Sequence, residues 1–161
     1  MAKASVVPLA VVWITLLFAL CLQVMPLAEG WQVYRPEWLG LLLIYWCMRS
    51  PDRVGVFHGF VLGLLLDLIE GVPLGQNALT LSVLAFLCAL VYGRFRTYSL
   101  VQQALLVMLL LGLVQLLEQW VRTLSGDFSI HLAFLIPSFI SAVLWPWLAT
   151  MFMALERRLF S

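Results

Sequence analysis

The sequence predicts an all-α integral membrane protein: a bundle of six transmembrane helices in one domain over residues 1–161, with both ends in the cytoplasm. Three observations predict it. The first is composition: 64% of the residues are hydrophobic and 11% charged, with a mean hydropathy of +1.05. Soluble domains carry roughly 45–50% apolar and about 25% charged residues. A soluble core in so short a chain cannot hide this much apolar surface, whereas lipid can. The second is segmentation, with apolar runs over about 6–27, 36–48, 54–69, 78–92, 100–121 and 132–155 separated by short polar breaks. The third is the placement of Lys and Arg. With the N-terminus inside, the inner segments hold Lys3, Arg49, Arg53, Arg94, Arg96, Arg157 and Arg158, and the outer loops hold Arg35 and Arg122. Seven against two is a positive-inside bias, and losing one span would put the arginine pairs on the wrong side.

The first run is longer than a secretory h-region of about 7–15 residues, so it reads as an uncleaved signal-anchor helix. A polar loop from Glu29 to Glu37 follows, with Trp31, Tyr34 and Trp38 as interface anchors. Pro36 suits the first turn of the second helix. That helix, at about 20 Å, is short for a core of about 30 Å; either the membrane thins there or the helix packs inside the bundle. Arg49–Arg53 is a break, and Glu70–Asn77 is a second, rich in turn residues including Pro73 and Gly75. Gly93–Tyr98 and Arg122–His131 are further loops. The last span contains Pro137 and Pro146, which predict kinks. Cys21, Cys47 and Cys88 all sit in apolar runs, odd in number and without metal spacing, and read as small buried apolar residues.

A few residues are costly in a bilayer. Gly55, Gly59 and Gly63 recur every four residues in the third span, and Asp67 continues the series. The stripe drifts only about 40° per step, which leaves one bare face with a carboxylate towards its outer end. Such a face admits a close helix, either within this chain or from a partner. Asp67 lies about 19 Å along the helix, in the outer half of the core, with Glu70 one turn beyond. In the fifth span Gln115, Glu118, Gln119 and Arg122 share a face, and Glu118 can pair with Arg122 at i, i+4. The patches Asp67–Glu70 and Gln115–Arg122 sit at similar depth, which predicts that they meet inside the bundle. An acid in this position is either functional or part of a structural hydrogen-bond network. His58, one turn into the third span, reads as packing.

No phosphate-cradling loop, HExxH or nucleophile–base constellation is present, and the Asp127–His131 loop carries no marked serine. A net charge of +1 gives no reason to expect a nucleic-acid partner. These features predict a non-enzymatic protein without cofactor or metal.

The segment Arg35–Leu79 resembles the bacterial rod shape-determining protein MreD. The resemblance lies in Arg35-Pro36-Glu37-Trp38, Tyr45-Trp46, Gly59-Phe60 with Gly63 and Asp67, Pro73-Leu74-Gly75 and Ala78-Leu79, in that order. It implies a multi-pass protein of the inner membrane, similar in fold to the substrate-binding subunits of energy-coupling-factor transporters. The implied role is a scaffold of the cell-elongation (Rod) complex, required for rod shape and organising side-wall peptidoglycan synthesis. The implied partners are MreC, MreB, RodZ, RodA and penicillin-binding protein 2, with membrane lipid around the bundle. The glycine stripe would then be the seat for the single membrane helix of MreC. The inner arginine clusters answer to topology, or touch MreB or anionic lipid. The alternative is a small-molecule or lipid-binding transport subunit. A closed polar cavity near the outer end, around Asp67, Glu118 and the Pro73–Asn77 loop, would favour the alternative. A groove open to lipid would favour the scaffold.

Overall fold

The computed structural model describes residues 7–31, 34–126 and 135–160. Lys3, the Asp127–His131 pair and the first residues of the sixth expected span lie outside the described residues. Six α-helices make up the rest: α1 (Leu9–Val24), α2 (Trp38–Arg49), α3 (Val56–Glu70), α4 (Gln76–Phe95), α5 (Leu100–Leu124) and α6 (Ile136–Phe160). At 1.5 Å per residue they measure about 24, 18, 22, 30, 37 and 37 Å. By length and composition α4, α5 and α6 are each long and apolar enough to cross a membrane.

The bundle is turned outward. Phe57, Leu68, Trp120, Phe139 and Trp147 are all exposed by more than 60%, while Asp67, Thr80, Gln115, Ser138 and Ser141 are buried. In water so much apolar surface would drive aggregation; in lipid it is the wetted face.

The shortest helix lies at the centre. Every residue from Leu39 to Met48 is buried, and α2 is in contact with α1, α4, α5 and α6. Of the two ways to accommodate so short a helix, packing inside the bundle is the one adopted. Aromatic rings fill the space around it. Tyr45 lies against Phe152 (ring centroids 5.2 Å apart) and Trp46, and Trp145 lies edge-on to Phe95.

Polar contacts at the helix ends show which ends lie together. Arg53 donates to the Val7 carbonyl (3.0 Å), and Arg49 pairs with Glu156. These contacts gather the start of α1, the end of α2 and the end of α6 at one end of the bundle. Glu37, Gln115 and Ser138 meet at the other. Glu70 and Asn77, where α3 ends and α4 begins, lie beside Glu37 and Glu118, and Arg96, just past α4, lies beside Arg49, so the helices run alternately between a basic end, with Arg49, Arg53, Arg94, Arg96, Arg157 and Arg158, and a polar end with Asp67, Glu37 and Glu118.

Some local expectations change. The second helix begins at Trp38, so Pro36 precedes it, and the Trp38 amide donates to the Pro36 carbonyl (2.9 Å). Pro137 is the second residue of α6, where a missing N–H breaks no helical bond, so it produces no kink; Pro146 alone is interior. Cys47 and Cys88 are buried, but Cys21 is exposed on the apolar outer surface. His58 is buried beside Trp13, the ring centroids 4.9 Å apart.

Candidate functional site: the polar end of the bundle

The α3–α4 hairpin is the tightest unit of the fold, and the glycines make it possible. A Cβ on Gly59 would fall 2.6 Å from the Leu81 carbonyl oxygen, and one on Gly63 would fall 2.5 Å from the Ala78 nitrogen. The faces of Gly59 and Gly63 are therefore filled by α4 of the same chain. Gly55 has open space around it.

Asp67, fully buried, closes the hairpin. Its Oδ2 accepts from the Gly75 amide (2.9 Å) and, at 3.4 Å, from the Ala78 amide; its Oδ1 accepts from the Asn77 amide (2.8 Å). These are amides at the start of α4, a helix whose own N-cap, Gly75, offers no side chain. The first amides of a helix lack intrahelical partners and carry its positive dipole end. Asp67 thus caps α4 from a neighbouring helix. The intervening turn relies on Gly71 and Gly75 at φ of +68° and +102°, a region that L side chains rarely adopt. Glu70 is exposed and accepts from the Asn77 side-chain amide (3.0 Å).

Beside this hairpin lies a polar cavity of about 310 Å³ bordered by Gln23, Arg35, Glu37, Gln115, Glu118 and Arg122. A smaller one of about 130 Å³ shares most of those walls and reaches Glu70, Asn77 and Thr80. Glu37 is the hub. Its carboxylate accepts from Gln115 (3.1 Å) and at the limit of reach from Gln23 (3.5 Å), and its backbone amide donates to Ser141 (2.9 Å). Ser138 donates to Gln115, which links α5 to α6. Arg35 binds the carbonyls of Gln23 and Met25 at the end of α1. Glu118 and Arg122 pair at 2.5 Å. Among the described residues, no three His, Cys, Asp or Glu side chains gather to hold a metal.

The comparisons with known proteins agree with one another. The family described as rod shape-determining protein MreD matches residues 3–155. The rod shape-determining protein MreD of Haemophilus influenzae is 36% identical over 155 residues, covering 91% of this chain and 93% of the relative. The chain belongs to the MreD family. No solved structure matches it.

In this MreD-family chain the predicted polar residues fall into separate roles. Asp67 is committed to α4. Gln115, Glu118 and Arg122 border the cavity, where Glu70 joins them across the smaller chamber. The two patches therefore approach one another around a space. Pro73 and Gly75 belong to the turn whose amides Asp67 holds. Gly59 and Gly63 are covered from within the chain, which leaves no room there for a partner helix.

Sequence reasoning missed the hub. In the sequence Glu37 figures as the end of a loop and in the Arg35–Trp38 resemblance, with no structural role, yet an acid between Pro36 and the uncharged run Trp38–Met48 is a signal in itself. Gln23, Ser138 and Ser141 are isolated polar positions in apolar runs and went unremarked. At the basic end Glu156, also buried, accepts from the Tyr45 hydroxyl (2.7 Å) and from Arg49 (2.8 Å). In sequence it merely ends a helix beside two arginines.

Proposed function

We infer that this MreD-family chain is a non-enzymatic scaffold in the bacterial inner membrane. All six helices cross the bilayer, with the basic end cytoplasmic and a fold similar to the substrate-binding subunits of energy-coupling-factor transporters. It acts in the Rod complex with MreC, MreB, RodZ, RodA and penicillin-binding protein 2, organising side-wall peptidoglycan synthesis through MreC. The observation that carries this reading is the family match along almost the whole chain, since the relative's name makes it a rod shape determinant. The alternating run of the helices between a basic and a polar end supports the topology.

With α4 filling the glycine face, the seat for the MreC helix moves to an apolar groove. It lies along α1 towards α3, has about 440 Å³, and is lined by Phe18, Cys21, Leu22, Met25 and Ile69. Depletion in a rod-shaped bacterium should round the cells, and rods of normal shape after full depletion would sink the reading. Cys21→Trp, at an exposed position, should fill the groove and reduce co-purification of MreC at unchanged abundance. Unchanged recovery would place the contact elsewhere.

The polar cavity favours a second reading, a small-molecule or lipid-binding transport subunit, because about 310 Å³ is within the range of ligand sites. Depleted cells that stay rod-shaped but acquire a vitamin requirement would support it.

A further inference from the structure

We propose that the basic end of the bundle holds one anionic glycerophospholipid, its phosphate between Arg49 and Arg96. The site is a cleft of about 190 Å³ between α2, α6 and the α4–α5 turn. Its walls combine two kinds of surface. Phe95 and Trp145 are buried and packed edge-on with centroids 5.7 Å apart, which makes a firm apolar floor. Leu100 and Met153, 37% and 36% exposed, form a rim open to the surroundings of the bundle. Above this floor stand the two guanidinium groups.

Neither guanidinium is fully used. Arg49 gives its Nε to Glu156, and its side chain stays 42% exposed. Arg96 donates from Nη1 to the Tyr92 hydroxyl (2.9 Å) and lies 5.5 Å from the centre of that ring. Both of these are contacts with a neutral group. No carboxylate pairs with Arg96 among the described residues. At the same end of the bundle but outside the cleft walls, the sequence adds Arg53, Arg94, Arg157 and Arg158, with Asp52 and Glu156 as the acids of the same segments.

Planar guanidinium donors match phosphate oxygens in pairs. A free phosphate would leave the apolar floor unused, and an apolar ligand would leave the arginines unused. A glycerophospholipid uses both. The cleft has room for the glycerophosphate end, while the acyl chains continue over the exposed Leu100 and Met153. Basic pockets between membrane helices hold anionic headgroups on the same principle. The inference needs the chain to lie in a bilayer, and it stands whichever compartment the basic end faces.

The test is native mass spectrometry of the full chain purified in detergent and titrated with phosphatidylglycerol, with phosphatidylcholine of the same acyl chains, and with inorganic phosphate. The first phosphatidylglycerol should bind several-fold more tightly than phosphatidylcholine. Arg96→Gln, at an exposed position, should weaken it about fivefold, the worth of one basic residue beside an anionic headgroup. Arg94→Gln, outside the cleft, should leave it unchanged, and millimolar phosphate should not displace it. Equal affinity for the two lipids overturns the proposal. So does an equal loss in Arg94→Gln, which means diffuse surface charge, and so does displacement by phosphate, which means a bare anion site.

Discussion

Replacing Asp67 by Asn isolates the role of the buried acid. The carboxylate accepts from three amides, two at 2.8 and 2.9 Å and one at 3.4 Å. An asparagine keeps one acceptor oxygen and turns an NH2 group towards an amide that is itself a donor. At least one short, charge-assisted hydrogen bond is lost, about 1.5–3 kcal/mol, and the abandoned buried donor adds about 1–3 kcal/mol. The favourable charge at the start of α4 goes as well, about 0.3–1 kcal/mol. Partial rearrangement of the turn recovers some of this, so a net loss of about 3 kcal/mol is expected. Glu70→Gln is the control, because that group is exposed and holds one hydrogen bond to a side chain. The assay is equilibrium unfolding of the purified protein in mixed micelles, with abundance in cells followed in parallel. Asp67→Asn should unfold much earlier and accumulate poorly, and Glu70→Gln should behave like the parent. If Asp67→Asn is as stable as the parent but fails to support rod shape, the cap is not what this acid is for.

The glycines allow a graded test of the same hairpin. Gly63→Ala puts a methyl group against the Ala78 and Asn77 backbone and should lower abundance sharply, whereas Gly55→Ala meets open space and should be silent; equal effects would refute the α3–α4 contact. At the basic end, Glu156→Leu leaves the Tyr45 hydroxyl and Arg49 without their acceptor and should destabilise by about 2–4 kcal/mol in micelle unfolding. Pairing it with Tyr45→Phe in a double-mutant cycle should show coupling, and strict additivity would dissolve the triad.

The fold was legible where lipid dictates it. Apolar runs and the alternation of basic breaks gave all six helices in order, because a bilayer leaves few options for unpaired backbone. The helix ends were read less well. α4 starts at Gln76, two residues before its expected span, because its first amides are capped by Asp67, a residue nine positions away on another helix. Hydropathy holds no record of a tertiary cap. Glycine spacing showed a smooth face on α3 but not what would fill it, because α4 and a foreign helix use the same geometry. The Glu118–Arg122 pair was readable because it is local at i, i+4. The Glu37 hub was not, because its partners Gln23, Gln115 and Ser141 come from three other helices.

These long-range polar contacts explain how so short a helix holds its place. α2 spans about 18 Å, less than the hydrocarbon core, so its length alone does not set its height in the bundle. Between helices in lipid the hydrophobic effect favours no register, which rests on close packing and on polar anchoring between helices. The ends of α2 supply the polar anchoring. At one end the Glu37 amide is fixed to Ser141 of α6 and its carboxylate to Gln115 of α5. At the other, Tyr45 and Arg49 are fixed to Glu156, again on α6. Sliding α2 by one residue along α6 would break both sets together and leave the half-buried Glu37 and the buried Glu156 without these partners. The polar cavity and the basic cleft lie at these two tie points.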